Sequence, residues 1–368
     1  MEVLMLKKAL MVFLFVAFLS VSCFAKDLKI GVYLSVTGPV AAWGKLEWEG
    51  IKTAHAVKSY VGKRKVILRL EDAASRPEVA INAVEKLISQ GIKFTIGPVT
   101  TTNALAALPI LEKEHVVDVI PTANGMGLVK GRHFATRVCF NNVLQAKVMA
   151  DYIIGIHKKG VVIEDISQDY SVDLAKRFID DFKHLNGRIA KVFPVEFSQT
   201  DFTAIITKIK QLNPEFIYFS GYYNTLALFL KQLRDFGIDT PVFAGSAASS
   251  YALIKIAGKS AEGLIFTDDF DPLIPQNELA KNFIEEFKRR YKRLPDSPEA
   301  LAADAYMLLI YGLEKEGENP KKVANLLRNT TFYGITGKII IKDGEAIRTV
   351  VLRKVKDGKF IPVAIYQP

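Results

Sequence analysis

From Leu28 onward, short apolar runs alternate with longer segments of helical period. That alternation restricts the fold more than any other feature, because it asks for parallel sheets covered by helices. Strand-like runs occur at 29–34, 66–71, 94–96 and 116–120, with helical segments at 45–61, 77–90 and 101–113 between them. A second series follows, with strands at 161–164, 189–195, 216–219 and 241–243 separated by helices at 170–184, 201–212 and 223–236. Two doubly wound α/β units in tandem are the economical reading. Size agrees: the 343 residues after Ala25 exceed the roughly 250 to 300 at which a single core stops growing.

Pro77 with Glu78, and Asp201 after Gln199-Thr200, mark helix starts. Asn213-Pro214 and Phe236-Gly237 mark stops. The last third changes character. Helices at 277–291, 298–316 and 321–329 lead into a β-rich tail at 336–341, 347–354 and 360–366, punctuated by the hairpin signals Asp343-Gly344 and Asp357-Gly358.

Before Leu28, Lys7 and Lys8 precede a thirteen-residue apolar run, Ala9 to Val21, and then Ser22-Cys23-Phe24-Ala25. This reads as a secretory signal occupying residues 1–25, cleaved after Ala25. The run falls short of the roughly 20 residues of a membrane-spanning helix. The competing reading lipidates Cys23, although Ser20 stands where such signals carry Leu. Cleavage leaves only Cys139, so an exported chain has no internal disulfide and relies on its core. The formal charge of +10 is spread through amphipathic segments. Its one dense run, Lys288 to Arg293, sits at a helix end, where cations are favoured; no nucleic-acid patch is expected.

The five histidines (His55, His115, His133, His157, His184) are isolated, so neither metal nor cofactor is expected. Ala257 to Ser260 lacks the glycines of a phosphate loop, Asn124 to Gly127 lacks a full dinucleotide fingerprint, and no G-x-S-x-G elbow occurs. One segment carries binding logic. Gly97-Pro98-Val99-Thr100-Thr101-Thr102 follows a buried strand and opens a helix, so hydroxyls and first-turn amides can converge on an anion, or the threonines can merely cap the helix. Pro121-Thr122-Ala123-Asn124 follows the next strand and emerges at the same carboxyl-end edge.

Several stretches together resemble a known family, the periplasmic receptors of branched-chain amino acid ABC importers. They are KIGVYLSVTGPVAAWGKLEWEGIKTA, LEDAASRPEVAINAVEKLISQGIKFTIGP, FIYFSGYYNTLALFLKQLRDFG, AGKSAEGLIFTDDF and YGITGKIIIKDG. The likeness covers nearly all of the chain after the signal. It implies a type I periplasmic-binding-protein fold, with two Rossmann-like lobes joined by three crossovers, instead of contiguous units: 27–140 plus 270–347 as the first lobe and 141–269 plus 348–368 as the second. It also implies a small-molecule ligand held between closing lobes, membrane permease subunits as partners, an extracytoplasmic location, a monomer, and no catalysis.

Residue by residue, the resemblance puts Thr101 at the ligand carboxylate, with Thr102 a weaker candidate, and Thr122 and Asn124 on a second loop contacting carboxylate and amino group. Trp43 falls on an aromatic wall, and Tyr170 and Tyr222, with Tyr223 weaker, on aromatic positions of the opposite lobe. Asp72 and Asp304 match positions whose contexts suggest loop anchoring and helix packing. The departure is Ala247, in GSAASS, where the family's amino acid receptors carry an acid for the ligand ammonium. Either Asp268 or Asp269 replaces it, or the ligand has no ammonium. The competing functions are a ligand-sensing regulator and an enzyme using the same cleft.

Overall fold

The computed structural model describes residues 27–367; the signal segment with Cys23 and Ala25 lies outside the described residues. Two sheets organise the chain. The first holds six strands in the order β2-β3-β1-β4-β5-β6: β1 (Leu28–Leu34), β2 (Tyr60–Val61), β3 (Arg64–Asp72), β4 (Phe94–Ile96), β5 (Val117–Ile120) and β6 (Ala135–Arg137). All neighbours are parallel except the β2–β3 hairpin. Helices α1 (Ala41–Val57), α2 (Pro77–Ser89) and α3 (Thr101–Lys113) cover it. The near-continuous apolar β1, LKIGVYL, is buried at six of its seven positions, as a central strand covered on both faces must be.

The second sheet has seven strands in the order β16-β15-β11-β10-β9-β7-β8. Its parallel part comprises β7 (Lys159–Asp165), β8 (Arg188–Val195), β9 (Phe216–Ser220), β10 (Val242–Ala244) and β11 (Ile265–Asp268). Helices α4 (Asn142–Ile154), α5 (Asp169–His184), α6 (Thr203–Leu212), α7 (Tyr223–Asp235) and α8 (Tyr251–Ala257) belong to the same region. The chain then returns to α1 with α9 (Glu278–Tyr291) and α10 (Ser297–Glu316), followed by α11 (Pro320–Arg328) and a three-stranded meander of β12 (Thr330–Gly334), β13 (Gly337–Lys342) and β14 (Glu345–Ile347). Finally β15 (Val350–Lys356) pairs antiparallel with β11, and β16 (Lys359–Tyr366) pairs with β15. Contiguous domains are thereby excluded: the polypeptide passes between the two sheets after β6, after β11 and after β14.

Both hairpin signals hold. Asp343-Gly344 and Asp357-Gly358 form two-residue turns with positive φ at both positions, the geometry that suits the strand twist. Three expectations change. The helix expected at 45–61 ends at Val57, because Tyr60 and Val61 pair with Lys65 and Arg64. The strand expected at 347–354 is broken at Arg348 and Thr349. There Arg348 donates to the carbonyls of Val138 and Asp269, each at 2.8 Å, and pins the crossing. Helix α4, whose apolar residues lack a strong one-sided period, was not anticipated. No helix among the described residues is long and apolar enough to cross a membrane.

Candidate functional site between the lobes

In each sheet the strand order reverses once, between β1 and β4 in the first and between β7 and β9 in the second. Loops leaving the carboxyl ends at such a reversal diverge and open a crevice. Those loops carry the sequence-named residues: Trp43 at the start of α1, Thr101 and Thr102 at the start of α3, Tyr170 in the first turn of α5, and Tyr222 before α7. The two crevices face each other, and the lobes touch. The Trp43 indole N–H donates to the Ser249 carbonyl at 2.8 Å, the Asp169 amide to the Thr102 hydroxyl at 3.2 Å, and the Ser246 hydroxyl to the Asn124 side-chain oxygen at 3.3 Å. The Tyr223 hydroxyl lies 3.4 Å from the Pro39 carbonyl. Except for half-buried Thr102, every site residue named from sequence is buried.

On the first lobe the three threonines divide their tasks. Thr100 is the N-cap, its hydroxyl accepting from the Asn103 amide at 3.3 Å. Thr101 is thus free of capping. Its hydroxyl accepts from the Gly125 amide at 3.0 Å and keeps a proton to donate. A Cβ on Gly125 would stand 2.3 Å from the Thr101 methyl, so only glycine permits this approach. The first-turn amides of α3 have no carbonyl four residues back within the helix. A donor hydroxyl beside a helix N-terminus suits an anion. Thr122 turns its hydroxyl away, to Glu47 at 2.6 Å and the Val99 carbonyl at 3.1 Å. Asn124 spans the cleft, donating to the Phe140 carbonyl at 2.7 Å while accepting from Ser246.

The second lobe supplies rings. Tyr222 packs between Trp43 (centroids 6.4 Å apart), Tyr170 (5.3 Å) and Phe197 (5.3 Å). The Tyr170 phenol accepts from the Ala247 amide at 3.3 Å. Burial pushes its ionisation up to about 12, so it stays a neutral donor. Gly245 makes the placement possible, since a Cβ there would lie 2.4 Å from the phenol oxygen. Ala247 is buried in a single 3-10 turn, Ser246–Ala248, and brings only a methyl to that position.

Asp268 and Asp269, the two expected replacements for an acid there, both have buried arginine partners. Asp268 accepts from Arg353 at 3.1 Å and from the Ser249 hydroxyl at 2.8 Å. Asp269 accepts from the Phe140 amide at 3.1 Å and pairs with Arg348 at 3.3 Å. Their carboxylates are committed to the hinge. Asp72 and Asp304 are anchors: the first accepts from the Val36 and Ala74 amides, the second from the Ile335 and Thr336 amides across the turn joining β12 and β13.

Sequence reasoning missed Glu47, which is buried behind Thr122. Its signal was present, because it falls on the apolar stripe Trp43, Gly44, Gly50, Ile51, Ala54 of α1.

A family model described as periplasmic binding protein matches residues 27–359. The chain belongs to the periplasmic binding protein family. Among its relatives is Leu/Ile/Val-binding protein homolog 3 of Brucella melitensis, 32% identical over 316 residues, or 81% of this chain and 82% of that one. Among solved structures, the leucine-binding protein LivK of Thermotoga maritima superposes with a TM-score of 0.90 at 36% identity, covering 93% of this chain and 99% of the other. The branched-chain amino acid transporter substrate-binding protein LivJ of Streptococcus pneumoniae, solved with isoleucine, gives 0.88 at 25% identity, covering 93% and 100%. As a periplasmic binding protein with the type I two-lobed fold, the chain is an extracytoplasmic solute receptor of an ABC importer and not an enzyme.

Proposed function

We propose that this periplasmic binding protein takes a small carboxylate with a flat or branched apolar body and no ammonium group. In this reading 27–140 plus 270–347 closes against 141–269 plus 348–368, and the monomer delivers its ligand to the permease subunits. Thr101 and the first turn of α3 receive the carboxylate. Trp43, Tyr170 and Tyr222 flank the apolar body, with Thr102, Thr122, Asn124 and Tyr223 completing or closing the site. One observation carries the reading: position 247 is a buried alanine, and both nearby hinge acids are held by arginines. An ammonium taken from water without a counter-charge or acceptor pays a large desolvation penalty.

The names of the Brucella and Thermotoga relatives favour a second reading, a branched-chain amino acid. Calorimetry separates the two. Leucine is titrated against its desamino analogue, 4-methylpentanoate, and phenylalanine against 3-phenylpropionate, into ligand-stripped wild type and Ala247→Glu. The desamino member of each pair should win on wild type, and the substitution should move preference toward the amino-bearing member. Tighter wild-type binding of leucine than of 4-methylpentanoate refutes the carboxylate reading.

A further inference from the structure

Behind the Thr122 loop, counting protons leaves Glu47 two arrangements, with the threonine proton on its carboxylate or on the Val99 carbonyl. The Thr122 hydroxyl has one hydrogen and two oxygen neighbours, Glu47 Oε1 at 2.6 Å and the Val99 carbonyl at 3.1 Å. A carbonyl can only accept. If the threonine proton goes to Val99, the shorter contact must be bridged by a proton on Glu47. The surroundings agree. Glu47 has no exposed surface, and its Oε2 has no hydrogen-bond partner, a costly position for an ionised carboxylate.

Among the described residues, the charged and titratable groups around Glu47 offer it no counter-charge. From α10 comes Glu299, whose two oxygens accept from Arg293 and from the Asp296 amide. Arg293 divides itself between Glu299 and Glu49 of α1 itself. Asp296 is held by Arg353. On β1, Tyr33 turns to Asp118, and from the second lobe comes the neutral Tyr222. Burial pushes the Glu47 carboxyl up to about 8; the Thr122 hydrogen bond opposes this and Glu299 adds to it.

We infer that Glu47 is a positioning residue held as a neutral carboxylic acid that donates to Thr122, so that the loops around Thr101 and Thr122 accept a ligand carboxylate without a buried like charge behind them. Ionising Glu47 both breaks this bond and sets a negative charge behind the anion site. The inference rests on the carboxylate reading of the cleft, and its test keeps the two apart.

The infrared difference spectrum of wild type against Glu47→Gln, whose amide can still donate to Thr122, reads the proton directly. At pH 7 wild type should show a carboxylic-acid carbonyl band that the variant lacks. A carboxylate band in its place overturns the inference. Should the variant not fold, wild type against Thr122→Val carries the same test: loss of the partner that accepts the Glu47 proton should shift the acid band to higher frequency, and an unmoved band would assign it to another acid and overturn the inference. The affinity for 3-phenylpropionate should fall at least about fivefold from pH 7 to pH 9.5 in wild type and change less than about twofold in Glu47→Gln, because the Glu47 proton is the one lost directly behind Thr122, whereas Glu299, which burial also pushes up to about 8, titrates in both proteins. An equal fall in both proteins overturns the positioning role. An acid band with binding of neither 3-phenylpropionate nor 4-methylpentanoate refutes the carboxylate reading and leaves the proton assigned to Glu47 in place.

Discussion

The cleft and the hinge touch, through the Ser249 hydroxyl on Asp268, yet they handle charge in opposite ways. At the hinge, buried Arg353 sits among Asp268 at 3.1 Å, Asp271 at 3.0 Å and Asp296 at 2.8 Å, while Arg348 pairs with Asp269 and Arg137 with Glu345. In the cleft, the side chains brought together are threonines, an asparagine, aromatic rings and an alanine, and the buried Glu47 behind them is neutral. The hinge acids Asp268 and Asp269 are thus spent on holding the crossings, and the cleft residues named above offer hydroxyls, amides and rings. The charge a solute must carry to be accepted follows from that division of labour.

The strongest way to break the contrast is at the hinge. Arg353→Met leaves three buried carboxylates around an apolar side chain, and removing one partner of a buried ion cluster costs about 3–5 kcal/mol. Urea unfolding should show a loss of that size. A loss under about 1 kcal/mol would mean that the carboxylates find water or protons easily, and the hinge would no longer differ from the surface. Next in size is the cleft itself. Thr101→Ala should weaken carboxylate binding by about 1–3 kcal/mol, the cost of losing a buried polar partner. Thr102→Ala, at a half-buried position, should change it less. Calorimetry with 4-methylpentanoate decides both, and equal effects would remove the distinction between an anion anchor and an interlobe contact.

A third test uses pH. Burial pushes the carboxyl of Glu47 up to about 8 and that of Asp118 up to about 7, the latter opposed by hydrogen bonds from Thr95 and Tyr33. The folded protein therefore keeps protons that the unfolded chain has already released at the ordinary carboxylate pKa. Where the native state binds more protons, stability falls with rising pH. The contribution is fully present below the ordinary carboxylate range and is lost as pH rises through about 7 to 8. The urea midpoint should decrease from pH 5.5 to pH 8.5, and Glu47→Gln should flatten the upper part of that decrease. An identical slope in the variant would place the effect elsewhere.

Local pattern made most strands, most helices and both tail hairpins readable, because each follows from periodicity or turn chemistry within a few residues, whereas the short β2, β6, β11 and β12 were not read. It also placed Thr100 to Thr102 at a strand-to-helix junction on the ligand side. Which of the three threonines faces the second loop was not readable, since that contact is made with Gly125, more than twenty residues on. The interlaced lobes were beyond local reading for the same reason: β15 joins β11 across more than eighty residues, and only the family likeness announced it. Asp268 and Asp269 looked available in sequence because their arginines lie 85 and 79 residues away, at Arg353 and Arg348. Glu47 was visible as an acid on an apolar stripe, a local conflict of the kind that marks a functional position.

The finest prediction concerns closure. The bond from Trp43 to Ser249 joins the lobes, so it exists only while they are together, and in an open form the indole N–H returns to water. Exchanging a water partner for a protein partner gives a net gain of about 1 kcal/mol, or roughly a fivefold shift in the open-to-closed ratio. Trp43→Phe keeps a ring against Tyr222 but removes this donor. It should speed release of 4-methylpentanoate several-fold in stopped flow while leaving the urea midpoint of the ligand-free protein nearly unchanged, because the substitution keeps most of the apolar contact within α1 and removes no charge from the hinge. Faster release with unchanged unfolding would separate the cleft, where weak interlobe bonds set the lifetime of the closed state, from the hinge, where buried ion pairs set the stability of the fold. A fall in the midpoint as large as that of Arg353→Met would show instead that Trp43 is a core residue whose contact with Ser249 is incidental.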